Sequence, residues 1–246
     1  MMTVSPTART WAQISLGALR HNLNYVKEQT GKMVMCVVKA DAYGHGAVAC
    51  AQCLQAAGAD AFGVASLAEA MELREGGVET PILVLGYTDP EYARMLADNG
   101  ITQAIQELEP ALELSRRAVE EGVTVEVHIK LDTGMNRIGL RTREEALALS
   151  EALDAAPHVR VTGIYTHFAD ADNPPPGGGM NPFTQKQLAR FRELRALFDP
   201  AIPSHVANSA MSLLAPEAYF DMIREGISLY GYPPVPTRLP FVPAMS

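Results

Sequence analysis

The sequence predicts a (β/α)₈ barrel, a closed ring of eight parallel strands surrounded by helices. From residue 33 onward, short apolar or β-branched runs alternate with segments of helical periodicity, which is the order that builds a parallel sheet. About eight such units occur, and the length of 246 residues is close to the ~250 that is typical of this barrel. A doubly wound open sheet is the alternative, because periodicity alone does not show whether the sheet closes.

Each strand is predicted to be followed by turn residues and then by a helix. The predicted strands are Met33–Val38, Ala61–Ala65, Ile82–Leu85, Ile101–Ile105, Val123–Leu131, Val159–Tyr165, Ser204–Ala207 and Met222–Arg224. The helices between them are predicted near residues 46–57, 66–75, 89–98, 107–121, 142–155, 181–198 and 209–215. An additional helix over residues 15–30 precedes the first strand, since Ser15 is a favourable N-cap and leucines recur there at helical spacing.

The two ends of the chain differ from the barrel units. Arg9–Ile14 is predicted as a short strand outside the barrel, and Tyr232–Met245 is rich in proline and then apolar, without a capping element. The predicted organisation is an N-terminal strand over residues 1–14, a barrel over residues 15–235 and a final segment over residues 236–246 that looks cut and not finished. Within the barrel, Asp172–Met180 (DNPPPGGGM) is too rich in Pro and Gly for regular structure and is predicted as a mobile surface loop.

The composition argues against several classes of protein. The net charge is −8, from 20 Lys and Arg against 28 Asp and Glu, which disfavours nucleic acid or an anionic membrane as the main partner. The longest uninterrupted apolar run is Met33–Val38, far short of the roughly 18 residues of a membrane-spanning helix. Residues 1–10 contain no apolar signal segment, and three cysteines do not indicate a disulfide framework. A cytoplasmic location is therefore expected.

A lysine at the end of the first strand is the first candidate catalytic residue. Barrel enzymes carry their catalytic groups at the C-terminal ends of the strands, where Lys39 lies. A lysine partly shielded from water can have a pKa low enough to form a Schiff base, although a lone lysine at a strand end is more often an ordinary surface residue. The competing motif Gly44–Ala49 (GHGAVA) approximates a dinucleotide-binding fingerprint. It is a weak match, because it does not directly follow the strand and no acidic residue ends the second strand.

The fifth strand alternates apolar and polar side chains, as Val125–Asp132 reads VEVHIKLD. The polar face comprises Glu126, His128, Lys130 and Asp132. Parallel strands covered on both sides are normally apolar, so this face requires a hydrated or charge-paired environment. An internal ion-pair network that only supports the barrel is one interpretation. A glycine-containing turn follows and presents Arg137.

The last two strand ends predict an anion site. The seventh strand runs into Ala207–Ala210, where Ser209 is placed to cap the next helix, and the eighth ends at Arg224–Ile227. Free backbone N–H groups near a hydroxyl bind anions, and barrels often hold phosphate after strands seven and eight. A phosphate there and an amine at Lys39 suit pyridoxal 5′-phosphate (PLP), a phosphorylated aldehyde. His167 ends the sixth strand, and no set of His, Cys and Asp has metal-ligand spacing.

Five motifs together resemble those of the alanine racemase family, whose members use PLP. They are Val38–Gly46 (VKADAYGHG), Leu131–Gly139 (LDTGMNRIG), Thr166–Ala169 (THFA), Ala207–Ser209 (ANS) and Arg224–Gly231 (REGISLYG). The motifs occur in the family's order and span nearly the whole chain. Two features depart from the family: Glu225 stands where proline is usual, and the Pro/Gly run at 174–179 is longer than the family's loop.

The resemblance implies a role for each matching residue. Lys39 would carry the cofactor and act as one of the two racemisation bases, and Lys130 matches a position that is carbamylated in many family members. The residues that would hold the phosphate are Tyr43, Ser209, Gly226 and Ile227. Arg224 would face the pyridine nitrogen with support from His167, and Arg137 would lie near the phenolic oxygen. Leu85 and Asn208 would line the site.

The resemblance also implies an enzyme that interconverts L- and D-alanine and so supplies a cell-wall precursor. An arginine facing the ring nitrogen stays charged and only donates hydrogen bonds, so it cannot protonate the ring. An unprotonated ring is a weaker electron sink, which favours racemisation over other PLP reactions. Barrel decarboxylases of similar architecture have an acidic residue at this position.

The family's second base is a tyrosine from a C-terminal β domain, contributed by the partner subunit of a homodimer. By the resemblance, residues 236–246 are the truncated start of that domain, and Phe241–Ser246 resembles the entry to its first strand. Arg9–Ile14 would pair with the domain. The chain alone is then expected to bind PLP but to racemise alanine poorly. A non-catalytic PLP carrier on a single barrel, a PLP racemase of broader specificity and an NAD(P)-dependent oxidoreductase using Gly44–Ala49 are the alternatives.

Overall fold

The computed structural model describes residues 9–237 and 239–246, and they form a closed barrel of eight parallel strands in sequence order. The strands are β1 (Met33–Val37), β2 (Ala61–Val64), β3 (Ile82–Val84), β4 (Ile101–Ile105), β5 (Val125–Lys130), β6 (Val159–Tyr165), β7 (Ser204–His205) and β8 (Met222–Glu225). Hydrogen bonds between β1 and β8 close the ring. The barrel prediction is therefore confirmed, and the open-sheet alternative is wrong.

Eight right-handed α-helices lie outside the strands in the part of the chain that the structure describes. They are α1 (Leu16–Thr30), α2 (Ala47–Ala56), α3 (Leu67–Glu75), α4 (Ala93–Asp98), α5 (Leu108–Glu121), α6 (Arg143–Asp154), α7 (Pro182–Arg195) and α8 (Met211–Leu214). Single 3₁₀ turns occur at Pro90–Tyr92, Pro216–Ala218 and Ile227–Tyr230. No helix within the described ranges is both long and apolar enough to cross a membrane.

Side-chain caps explain where several helices begin. Ser15 Oγ accepts the Ala18 N–H at 3.2 Å, which confirms the cap predicted for α1. Ser66 starts α3 in the same way. At α6, Thr142 and Glu145 form a reciprocal capping box, in which each side chain accepts the other's backbone N–H. Such caps satisfy N–H groups that have no partner within the helix, so they mark the ends of the helices.

Apolar side chains form two layers, one on each face of the closed sheet. The larger layer lies between the strands and the helices, and the smaller one fills the barrel interior. The interior layer consists of Met35, Ala61, Leu83, Ala104, Tyr165 and Met222. Because this layer closes the barrel from within, polar side chains nearer the C-terminal ends of the strands face a cavity with an apolar floor.

An irregularity between β5 and β6 positions a histidine inside the barrel. The register skips Thr162, so that His128 pairs with Gly163. A Cβ built on Gly163 would lie 2.6 Å from the His128 ring, closer than any real side-chain contact. The absence of a side chain at Gly163 therefore leaves the space into which the His128 ring packs.

We predict that Gly163→Ala destabilises the barrel by about 2 kcal/mol, because the added methyl overlaps a confined ring. The matched control is Gly63→Ala on β2, where the nearest atom is the flexible Met35 sulfur at 3.3 Å. This control should change the free energy of unfolding by less than about 1 kcal/mol. Urea unfolding monitored by circular dichroism measures both. Equal stability of the two variants would contradict the close packing of His128.

The described ends of the chain contact one another. Ile14 and Met245 form an isolated antiparallel bridge, and Gln13 and Ser246 exchange backbone hydrogen bonds at 2.9 and 3.1 Å. Beyond this bridge, residues 9–14 form no strand, and residues 1–8 of the predicted N-terminal strand lie outside the described residues. The assignment of both ends to a further β domain stays a prediction. Asp172–Met180 has no regular structure, as predicted.

Candidate active site

All eleven residues predicted for the site line one cavity at the C-terminal ends of the strands. They are Lys39, Tyr43, Leu85, Lys130, Arg137, His167, Asn208, Ser209, Arg224, Gly226 and Ile227. The cavity has a volume of about 370 Å³, within the ~300–1,000 Å³ of typical small-molecule sites. Residues from 39 to 227 therefore meet in one place, as the predicted strand order requires.

Barrel closure explains why Lys39 lies beside the anion site. β1 and β8 are neighbours with Met35 opposite Arg224 and Cys36 opposite Glu225. Because the strands run parallel, the residues that follow each of them leave the barrel side by side. Lys39 and Gly226 thus follow neighbouring strands of the ring.

A left-handed turn follows Lys39, and the sequence did not predict it. Four consecutive residues, Ala40–Tyr43, have φ between +52° and +55°, a region that L-residues rarely adopt. Asp41 holds the turn: its carboxylate accepts the Ala47 N–H at 2.7 Å and its carbonyl accepts the Gly46 N–H at 3.0 Å. The turn brings Tyr43 back toward β8. The glycines of Gly44–Ala49 therefore follow this turn and not a strand, which weakens the dinucleotide interpretation further.

Three segments form a small polar cradle at the end of β8. Ser209 Oγ accepts the Gly226 N–H at 2.9 Å. A Cβ on Gly226 would lie 3.0 Å from the Tyr43 hydroxyl and 3.8 Å from Ser209 Oγ, so only glycine leaves the space between them open. Two hydroxyls and the first-turn N–H groups at Ile227 surround this space, which suits the oxygens of a phosphate.

The structure corrects the role of Ser209 as a helix cap. The Met211 N–H at the start of α8 is accepted at 3.1 Å by Asn208 Oδ1. The Ser209 hydroxyl instead bonds to Gly226 and faces the cavity. Asn208 therefore supports the cradle by fixing the turn, and Ser209 is left to bind a ligand.

Arg224 is a buried cation held almost entirely by main-chain carbonyls. Its Nη1 donates to the His205 carbonyl at 2.6 Å, and its Nη2 donates to the Thr166 carbonyl at 2.7 Å. Burial lowers the pKa of Arg224 to about 10, so the guanidinium stays charged at neutral pH. Its Nε–H has no acceptor among the residues described, and it remains available for a ring nitrogen. These bonds also divert the His205 carbonyl from the sheet, which explains why β7 is shorter than predicted.

A chain of histidines supports this arginine from behind. The Arg224 Nη1 lies 3.2 Å from His205 Nδ1, and His205 Nε2 lies 2.9 Å from His128 Nδ1. Because a guanidinium only donates, His205 Nδ1 is an acceptor and the ring proton is on Nε2, directed at His128. Burial and Arg224 both lower the pKa of His128, to about 4, and also hold the pKa of His205 and His167 well below the usual value. All three rings are therefore neutral at pH 7.

Lys130 is an unpaired amine in the cavity wall. It is 2% exposed, its Nζ lies 3.3 Å from the Leu131 carbonyl and 5.1 Å from the Tyr165 ring centre, and it has no carboxylate within salt-bridge distance in the described residues. Burial and Arg224 lower the pKa of Lys130 to about 7. The ion-pair interpretation of this strand face is therefore wrong at Lys130. Two other members of the face do form ion pairs, Glu126 with Arg160 and Asp132 with Arg141.

Arg137 reaches the cavity through a turn organised by Asp132. The Asp132 carboxylate accepts the N–H groups of Gly134, Asn136 and Arg137 at 2.9–3.0 Å. Burial alone would raise the pKa of Asp132, but these three bonds outweigh it and lower the pKa. Asp132 thus acts as a structural anion, and it leaves the Arg137 side chain exposed at the cavity mouth.

Sequence reasoning missed Tyr165, which lines the cavity, and His128, which supports the site from behind through His205. Tyr165 lines the cavity, stacks on His205 with ring centres 4.8 Å apart, and has a buried hydroxyl with no partner in the described residues. His128 was seen only as part of a polar strand face. The alternation of β5 and β6 places both side chains inside the barrel. Their contacts with His205 on β7 and Arg224 on β8 could not be predicted, because they require the closed ring.

Comparison with known proteins identifies the family. The model of the alanine racemase N-terminal domain matches residues 14–234. The chain belongs to this family. It is 43% identical over 233 residues to alanine racemase of Symbiobacterium thermophilum, and the match covers 92% of this chain and 60% of that protein. It is also 43% identical over 230 residues to alanine racemase of Desulfovibrio desulfuricans, and this match covers 91% of this chain and 60% of that protein. The chain therefore spans about 60% of the length of these alanine racemases.

Solved structures of racemases share the fold of this alanine racemase domain. Alanine racemase of Clostridium difficile 630 in complex with cycloserine superposes with a TM-score of 0.87 at 36% identity, covering 98% of this chain and 68% of that one. A histidine racemase from Leuconostoc mesenteroides superposes with a TM-score of 0.88 at 34% identity, covering 98% and 66%. The relatives thus include racemases named for amino acids of very different size.

Proposed function

We propose that this chain is the PLP-binding barrel of an alanine racemase. The observation that carries the proposal is the cavity in which the amine of Lys39, the Ser209–Gly226 cradle and the Arg224 guanidinium meet. The cradle fits a phosphate, because a Cβ at Gly226 would fill it and its hydroxyls can donate. When bound, PLP withdraws electrons from an amino acid joined to its aldehyde carbon, which makes the Cα proton acidic.

Each group would do one part of the work. Tyr43, Ser209 and the N–H of Ile227 would bind the phosphate oxygens. The Nζ of Lys39 would hold the aldehyde carbon of the cofactor and would serve as the acid–base group on one face of the substrate Cα. The charged Arg224 would donate its Nε–H to the ring nitrogen and keep that nitrogen unprotonated. This limits electron flow into the ring and favours return of the proton to Cα, which is racemisation.

The activity of the whole protein needs a second acid–base group on the other face of Cα. We propose that a partner subunit supplies it in a homodimer, that the protein works in the cytoplasm and that the D-alanine it makes serves the cell wall. Alanine is the proposed substrate because the relatives above are alanine racemases. The 246 residues alone are expected to bind PLP and to racemise alanine poorly. Slow but measurable racemisation would favour an incomplete catalytic pair over a non-catalytic PLP carrier.

Titration of the purified protein with PLP tests the proposal. We expect visible absorbance that survives dialysis and, after borohydride reduction, a cofactor-labelled peptide containing Lys39. Circular dichroism of L-alanine solutions should show racemisation that is slow with the 246-residue chain and fast with a relative of full length. Binding of NAD(P) with no retained PLP would overturn the proposal, and so would full racemase turnover by the isolated chain.

We further propose that Lys130 is carbamylated, as the family resemblance implies. A neutral amine can attack CO₂, form an N–C bond and release a proton, and the resulting anion would face Arg137 and Arg224. Because the pKa of Lys130 is lowered to about 7, the reactive neutral amine predominates above that pH.

The prediction is a carbamate signal in ¹³C NMR after addition of labelled bicarbonate, growing as pH rises through about 7. The signal should disappear in Lys130→Met and persist in Lys186→Met, which alters an exposed lysine on α7. A signal that persists in Lys130→Met would assign the carbamate to another amine.

A further inference from the structure

Glu225 is a fully buried carboxyl directly behind the proposed phosphate cradle. It is 0% exposed and stands between Arg224, which faces the cavity, and the cradle residue Gly226. Strand alternation turns its side chain away from the cavity, toward the layer of α8 and the Ile227–Tyr230 turn. Neither the fold nor the proposed mechanism uses this group.

Only neutral groups surround this carboxyl. The hydroxyls of Ser209, Ser212 and Ser228 lie around it, yet neither carboxyl oxygen has a well-formed hydrogen bond within residues 9–237 and 239–246. The titratable groups that face it are the Cys36 thiol on the paired strand β1 and the Tyr219 hydroxyl. Burial raises the pKa of both, so they are neutral at pH 7, and no cation in the described residues pairs with Glu225.

The hydroxyl of Ser209 lies near Glu225 and also belongs to the cradle. Ser209 Oγ already accepts the Gly226 N–H at 2.9 Å, so its single proton can be donated in one direction only. An ionised Glu225 attracts that proton and turns the hydroxyl away from the cavity. A protonated Glu225 can instead donate to Ser209 Oγ, which frees the Ser209 proton for an oxygen in the cradle.

We propose that Glu225 is a positioning residue that takes up a proton when a phosphate occupies the cradle, so that Ser209 donates to the phosphate. This inference rests on the proposed function. Two effects favour the uptake: a nearby dianion repels the carboxylate, and the protonated acid completes a hydrogen-bonded chain from Glu225 through Ser209 to the phosphate. Burial already raises the pKa of Glu225 to about 6. Uptake of a whole proton at pH 8 requires the phosphate and the hydrogen-bonded chain together to raise it further, to above about 9.

The test is calorimetric titration at pH 8 in buffers of different ionisation enthalpy, with PLP and with pyridoxal, which lacks the phosphate. We expect binding of PLP to take up about one proton more than binding of pyridoxal. In ³¹P NMR the bound phosphate should remain dianionic, which places the proton on the protein. Equal proton uptake for the two ligands, or a bound monoanionic phosphate, would overturn the inference without any variant.

The variant Glu225→Gln should remove the extra proton, because its amide already donates to Ser209. The ratio of the variant's PLP affinity to that of the native protein should rise by about tenfold per pH unit between pH 7 and 8.5. The same ratio for pyridoxal should not change with pH. Glu217→Gln, an exposed carboxyl nearby, is the matched control and should behave as the native protein. A PLP affinity ratio that does not change with pH would overturn the inference. Absence of PLP binding to the native protein would instead overturn the proposed function.

Discussion

Lys39→Ala is expected to abolish covalent attachment of PLP completely, while leaving the fold intact. The visible absorbance should disappear on dialysis, and borohydride should label no peptide. Lys39 is half-buried at the rim of the barrel, so its truncation should change the free energy of unfolding by no more than about 0.5 kcal/mol. The phosphate cradle is untouched by the change, so weak and reversible PLP binding should remain.

The experiment must separate two amines, because Lys39 and Lys130 line the same cavity. Burial lowers the pKa of Lys130 to about 7, so a large fraction of its amine is neutral and nucleophilic at neutral pH. Its Nζ, however, is confined between the Leu131 carbonyl and the Tyr165 ring, whereas Lys39 follows the strand beside Gly226. Geometry should therefore decide in favour of Lys39.

Two controls make this outcome decisive. Lys130→Met should retain the dialysis-resistant absorbance and the labelled Lys39 peptide, and Lys186→Ala should behave as the native protein. If Lys39→Ala keeps the absorbance and Lys130→Met loses it, the cofactor amine has been assigned to the wrong strand. Loss in both variants would mean that the carbamate or the amine of Lys130 is needed to orient the cofactor.

The order of strands and helices could be predicted because it depends on local pattern. Every predicted strand is present, and Ile101–Ile105 and Val159–Tyr165 have the predicted bounds. Relative to its length, the strand that differs most is Ser204–Ala207, of which only Ser204–His205 remains a strand. There Arg224 on β8 donates a hydrogen bond to the His205 carbonyl. This contact arises from tertiary structure and not from the sequence of the strand.

The composition of the site was predictable from motifs, but its internal contacts were not. The left-handed turn at Ala40–Tyr43 contains no glycine or asparagine to indicate it, and it exists because Asp41 holds its end. The bond from Gly226 to Ser209 and the pairing of His128 with His205 join residues 17 and 77 positions apart. Such contacts depend on barrel closure and register, which periodicity does not reveal.

Arg224→Leu is expected to have the largest effect on stability, a loss of about 3 kcal/mol from the free energy of unfolding of the PLP-free protein. The change leaves the carbonyls of His205 and Thr166 without their donor in a buried setting. An apolar replacement of a buried charge is sometimes favourable, because desolvation of the charge is avoided. Here the unsatisfied acceptors should outweigh that gain, because leucine offers none of the donors they require.

Arg137→Leu is the matched control, since Arg137 lines the same cavity but is exposed. It should change stability by less than about 0.5 kcal/mol while still weakening PLP binding. Arg224→Lys should recover only part of the lost stability, because one ammonium cannot reproduce the planar fork that reaches two carbonyls at once. Chemical unfolding of the three PLP-free proteins measures these differences. Equal stability of Arg224→Leu and Arg137→Leu would show that Arg224 serves the ligand alone and that the barrel does not depend on it.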